Sequence, residues 1–148
     1  MSIFNTPEMS AADDKLRGVV ALVRPDLECD PLNKRNQVGV ISEADIDFDN
    51  IYVDFVDKDG LFSAEGLLVL LPPDEIHQNL ADMAYEAPFE ALKAMTQIDL
   101  FLRYGDSNVN ARFKALSIAR DHPAIQPLCV ETLSNQISRD IPNQYGRD

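Results

Sequence analysis

The chain has 148 residues, 45% hydrophobic and 26% charged, with a formal net charge of −12 at pH 7 and a sequence pI near 4.4. Such values suit one globular domain, or two very small ones, with a core that needs no covalent staples. The acidity repels phosphate backbones unless the few basic residues cluster on one face, and the longest apolar run, LLVLLPP at 67–73, is too short to span a bilayer.

Residues 1–14 are small and polar with Pro7 and no periodicity, which predicts a flexible N-terminal arm. They lack a basic segment followed by an apolar one, so no secretory leader is expected and the expected location is the cytoplasm. VVALV at 19–23 is a β-branched run closed by Arg24-Pro25, a strand ending in a turn. ECDPLNKRNQ reads as a loop, and VGVISEADI at 38–46 resumes the strand pattern. Gly39 inside it predicts a bend or bulge where a side chain would obstruct a close backbone approach. In DFDNIYVDFVDKDGLF, residues 47–62, Ile51, Val53 and Phe55 alternate with Tyr52, Asp54 and Val56, a strand with one buried face. Asp59-Gly60 between two apolar runs signals a hairpin turn. GLLVLLP at 66–72 does not alternate, so both of its faces are expected to be covered: one closing a small barrel, the other packing on helices.

After Pro72-Pro73 the period changes. Ile76, Leu80 and Met83 predict a helix with Asp74 as a cap. Pro88 opens a second helix bearing Phe89, Leu92, Met95, Ile98 and Leu102, which closes at Gly105 in a left-handed cap. Asp106, Ser107 and Asn108 cap a third helix with Val109, Phe113 and Leu116 inward, ended by His122-Pro123. Pro127 opens a fourth, in which Cys129, Leu133, Ile137 and Ile141 recur every four residues before Pro142. The expected fold is α+β, a small β-barrel followed by a C-terminal module of about four short helices. Its segments are the arm over 1–14, the barrel over 15–73, a helical module packed on it over 74–142, and a polar tail over 143–148.

VVALV, a long polar loop, QVGVISEADIDFDNIYVDF and a hairpin into GLLVLLP together resemble the SH3-like barrels that include KOW domains, over residues 16–72. The resemblance implies the barrel fold. The loop before Gly39 has none of the additional glycines of the KOW pattern. The surface residues are acidic where nucleic-acid-binding members are basic, so the resemblance does not bring nucleic-acid binding with it.

Asp45, Asp47 and Asp49 have the spacing that begins an EF-hand loop, but its sixth and twelfth positions hold Asn50 and Val56, so no metal is expected there. Residues 26–65 carry eleven acidic side chains against three basic ones, a net of −8. A face that dense in charge can steer a basic partner or serve solubility alone. His77 and His122 stand apart with no other ligand at metal spacing. Cys29 lies between Glu28 and Asp30, which disfavour its thiolate, and Cys129 reads as core. Nucleophile, phosphate-loop and dinucleotide motifs are absent, so neither catalytic residues nor a cofactor is expected. The leading expectation is a non-enzymatic interaction protein in which Asp45, Asp47, Asp49, Asp54 and Asp57 meet a basic protein surface, with a homodimer through the helices as a further option. A second is a ligand-binding protein or enzyme with a cleft between barrel and helices. The mark of that reading would be a deep pocket holding two carboxylates, or His77 with one. The third and weakest is nucleic-acid binding along the helices through Arg103, Arg112, Lys114 and Arg120.

Overall fold

The computed structural model describes residues 11–28, 30, 33–105 and 108–140. A short helix α1 (Ala11–Leu16) precedes five strands: β1 (Val20–Val23), β2 (Val38–Asp45), β3 (Asn50–Asp54), β4 (Asp59–Phe62) and β5 (Leu67–Leu70). Three helices follow, α2 (Pro73–Met83), α3 (Phe89–Tyr104) and α4 (Val109–Asp121). The chain then returns to the sheet as β6 (Val130–Thr132) and ends in α5 (Leu133–Asp140). All six strands form one antiparallel sheet in the order β4-β3-β2-β1-β5-β6.

This arrangement corrects the expected barrel with a helical module behind it. The sheet is open: β4 and β6 are its two edges and do not pair with each other. The helices are interspersed with the strands, three of them lying between β5 and β6. The two-sided character of LLVLL comes from coverage by two layers, not from closure. Leu68 and Leu70 face a core cluster with Val20, Leu22, Ile76, Met95, Ile98, Leu102 and Leu116, under α2, α3 and α4. Leu67 and Val69 face a second cluster with Val23, Ile41, Ile51, Val53, Leu16 and Leu133, under α1 and α5. Alternation along each strand sends successive side chains to opposite clusters, so burying both faces stabilises one sheet twice.

Local chemistry explains most boundaries. Gly39 lies opposite Ala21, and a Cβ there would come within 2.6 Å of both the Asp54 carbonyl oxygen and Val53 Cγ1, the close approach its place in the strand predicted. The β2–β3 register shifts between Ile41 and Glu43, a bulge that lets both strands keep their apolar residues inward. The hairpin turn lies at Val56-Asp57, three residues earlier than expected. The Phe55 N–H donates to the Lys58 carbonyl, and Asp59 and Gly60 belong to β4, opposite Asp54 and Val53. Pro72, not Asp74, caps α2, whose first turn includes Pro73. Asn108 caps α4, its side chain accepting from the N–H groups of Asn110 and Ala111. Gly105 ends α3 at φ −118°, outside the left-handed region; a Cβ on it would meet Ala111 Cβ at 2.4 Å, so its bareness serves the approach of α4 to α3.

The helix expected from Pro127 divides into a one-turn 3-10 helix (Gln126–Leu128), β6 and α5. The four-residue recurrence of Cys129, Leu133 and Ile137 mimics a helix because Cys129 enters one core cluster while Leu133 and Ile137 enter the other. From Ala11 the chain is helical, where an arm was expected. Residues 1–10, the Cys29 reading, Asp106 and Ser107 of the cap, Ile141 and Pro142, and the tail over 143–148 lie outside the described residues.

Candidate functional site

Helices α2–α4 cover only part of their side of the sheet. On β3, Ile51 and Val53 point into the cluster under α1 and α5, so Tyr52 and Asp54 project to the opposite side, where they remain exposed. Tyr52 pairs with Glu43 on β2 and with Leu61 on β4, and Asp54 pairs with Asp59. Tyr52 is 40% exposed and Leu61 50%. The uncovered half of this face is thus an apolar pair framed by carboxylates: Glu43 beside it, Asp45 toward one end, and Asp54 opposite Asp59 at the other. Among the described residues none of these four carboxylates is in an ion pair. Asp54 and Asp59 stand directly opposite in the ladder, where like charges repel. Strand β4 bounds this surface as a free edge, with Val56 fully exposed in the adjoining turn.

The five aspartates singled out by sequence are therefore not one cluster. Asp45 and Asp54 share the open sheet face. Asp47 is exposed in the β2–β3 turn beside Phe48, itself 76% exposed. Asp49 occupies the same turn at φ 56°, a conformation aspartate tolerates, and its Oδ1 accepts the Ala64 N–H at 2.8 Å. Asp57 lies at the far end, in the β3–β4 turn, and meets Lys34 Nζ at 2.5 Å. Lys34 is buried, with its ammonium 4.8 Å from the centre of the Phe55 ring. The Lys34 contact holds the Asp57 carboxyl below the usual carboxylate range against the opposing effect of desolvation, with the Lys58 N–H adding to it. Asp49 and Asp57 thus do internal work, and Glu43 and Asp59 join Asp45 and Asp54 on the exposed surface. Strand alternation across 43–61 was the signal that could have selected these four.

A second arrangement joins α2 to α3. His77 Nδ1 lies 3.2 and 3.3 Å from the two carboxylate oxygens of Asp99, and Arg103 Nη2 donates to Asp99 Oδ2 at 2.8 Å. The same Arg103 nitrogen is 2.7 Å from His77 Nδ1. These contacts border a recess of about 300 Å³ lined by Pro73, Asp74, His77, Asp99, Leu102 and Arg103. Asp99 is 7% exposed, a buried carboxylate that Arg103 and His77 compensate. Sequence reading noted His77 but not its partner. Asp99 next to the buried Ile98, with Arg103 four residues on, was the available signal.

Arg103 is committed to Asp99, and Arg120 pairs with Asp121 at 3.0 Å, which leaves less of the basic helical stripe expected from sequence. Arg139 grips Glu131 through two bonds and fastens α5 to β6. Cys129 is buried against Met95, and burial pushes its thiol up to about 12, so it is core and not a nucleophile. His122 Nδ1 lies 2.8 Å from the Ile118 carbonyl at the end of α4. No helix among the described residues is long and apolar enough to cross a membrane, and no group of three or more acidic, histidine or cysteine residues among them could hold a metal ion. No family model, curated protein or solved structure matches the chain.

Proposed function

We propose that this is an interaction protein that binds a basic partner segment on the uncovered face of β2, β3 and β4. The observation that carries this reading is the exposed Tyr52–Leu61 pair framed by the unpaired carboxylates of Glu43, Asp45, Asp54 and Asp59. An apolar centre with a charged rim is the composition of a protein interface. The carboxylates speed encounter with a cationic partner and select against an acidic one, while burial of Tyr52 and Leu61 supplies affinity. The free β4 edge offers backbone groups to an extended segment with alternating basic and apolar residues. Asp49 and Asp57 stay with the fold.

The test is fluorescence anisotropy with extended lysine- and arginine-rich peptides bearing an apolar residue at every second position. Wild type is compared with the variant Glu43→Gln/Asp54→Asn/Asp59→Asn. We expect affinity to fall at least tenfold in the variant and to weaken with salt in wild type, with circular dichroism unchanged. Equal affinities for the two proteins would sink the reading.

A second reading rests on the His77–Asp99 contact in the recess beside Asp74 and Arg103, the arrangement a ligand-binding or catalytic protein requires. The Asp99 carboxylate orients the imidazole, and the recess admits a small polar molecule. A ligand raises the melting temperature of a protein it binds in the folded state. A shift produced by one member of a panel of small carboxylates, phosphates and amines, and lost in His77→Gln, is the result this reading expects.

A further inference from the structure

Between α3 and α4 lies a cavity of about 490 Å³, lined by Gln97, Leu100, Phe101, Tyr104, Gly105 and Ala111. Its volume falls within the range of small-molecule sites, about 300–1,000 Å³. Its lining is mostly apolar, from Leu100, Phe101, Tyr104 and Ala111, with Gln97 and Tyr104 the residues that carry polar side-chain groups. Positions 97, 100, 101 and 104 recur on one side of α3 at helical spacing, away from the buried Met95, Ile98 and Leu102, with Phe101 at the border and packed against the same core cluster. Leu100 is 44% exposed and Tyr104 80%, so the apolar wall is open to solvent.

A second feature sets the charge of the occupant. Lys114 on α4 places its ammonium 5.9 Å from the centre of the ring of Phe101, one of the residues that line this cavity. It has no carboxylate partner among the described residues, in a chain with a net charge of −12. Together α3 and α4 carry Lys93, Arg103, Arg112, Lys114 and Arg120 against Glu90, Asp99 and Asp121, five bases to three acids. An apolar cavity with a cation over one of its lining rings, between two helices that together carry more bases than acids, fits one class of ligand.

We infer that this cavity binds a small amphiphilic anion, a medium-chain carboxylate, with its hydrocarbon tail along Leu100, Phe101 and Ala111 and its carboxylate on Lys114. The tail displaces water from the exposed apolar wall, and the carboxylate accepts a charge-assisted hydrogen bond from the Lys114 ammonium. This site is independent of the sheet face and of the His77 recess.

The experiment is isothermal titration of the full chain with octanoate, decanoate and dodecanoate below their micellar concentrations. Decanol and decyltrimethylammonium serve as uncharged and cationic controls, and oligomeric state is followed by sedimentation. Burial of the tail predicts affinity rising by up to about fourfold per methylene until the cavity is full. Lys114→Glu is expected to weaken decanoate at least tenfold and leave decanol unchanged. Leu100→Ser, at an exposed position, is expected to weaken all the chains together. The inference is overturned if decyltrimethylammonium binds as tightly as decanoate, if Lys114→Glu leaves decanoate unaffected, or if no chain binds. It is also overturned if the protein sediments as a dimer that Leu100→Ser dissociates, because the cavity wall is then covered by a second copy.

Discussion

Lys34 is 2% exposed, whereas Asp57, which it contacts, is solvated on its other sides. The two halves of this pair are therefore not equivalent. Removing the lysine leaves an aspartate that water can solvate; removing the aspartate leaves a buried ammonium without an anion, so Asp57→Asn costs more stability than Lys34→Met. The Asp57 carboxyl titrates below the ordinary value near 4 because the folded state favours its charged form. A lowered folded pKa gives a contribution that is complete above the unfolded value and vanishes as pH falls through the folded one. Urea midpoints of wild type and Asp57→Asn should therefore lie well apart at pH 7 and 5 and draw together toward pH 3. A gap that stayed constant would remove charge from the account. Asp30 behaves in the same direction, because the N–H groups of Lys34 and Arg35 bind its carboxylate. The abundance of aspartate was legible in the sequence, but the duties of individual aspartates were not. Lys34 lies 23 residues from Asp57 and Ala64 lies 15 from Asp49, and no local pattern links such partners. Asp99 and Arg103, one helical turn apart, were within reach of pattern reading.

The strands divide by how locally their form is determined. Gly39 could be assigned its role from sequence because a glycine in an apolar strand has few other reasons to be there. Gly39→Ala should destabilise by about 1–3 kcal/mol, since the new methyl meets backbone and a packed valine at 2.6 Å, and neither can swing away. Chemical denaturation measures it, and an unchanged midpoint would contradict the close approach. The Asp54–Asp59 pair tests the opposite sign. Asp59→Lys turns a repulsive cross-strand pair into an attractive one and should stabilise by a few tenths to about 1 kcal/mol, read from the same curves. A fold that keeps two aspartates opposed gives up that stability, which fits a surface kept acidic for a partner. The turn of this hairpin was misplaced because Asp-Gly is favoured where φ is positive, and Gly60 has no such conformation. Strand β6 was hidden because three residues between a 3-10 turn and a helix carry no period of their own.

At the scale of the molecule, one sheet separates two apolar clusters, and its strands contribute to both. Leu22 is fully buried in the cluster under α2–α4, and Leu67 in the cluster under α1 and α5. Truncating either to alanine should cost about 2–5 kcal/mol. Because the strands are shared, both variants should lower the same single transition, observed alike by far-ultraviolet circular dichroism and tyrosine fluorescence. Two separated transitions would mean that the layers unfold independently. The presence of both strands and helices was legible from the switch between two-residue and near-four-residue periods. The layering was not, because an apolar run such as LLVLL declares that both faces are covered without declaring by what. The charge is also laid out along the sheet: the exposed acids stand on the β2–β4 half, on the same face that α3 and α4, with their bases, cover elsewhere.

The return of β6 to β5 has a consequence for how the protein is made. Leu70 and Val130, paired in the sheet, are sixty positions apart, with three helices between them. During synthesis from the N-terminus, the hairpin of β3 and β4 can close as soon as it leaves the ribosome. The outer edge of β5 then waits, unpaired, until β6 emerges. Emergence of β6, not the early growth of the chain, completes the sheet. A nascent chain stalled before Val130 would therefore present an open apolar strand to chaperones or to other stalled copies.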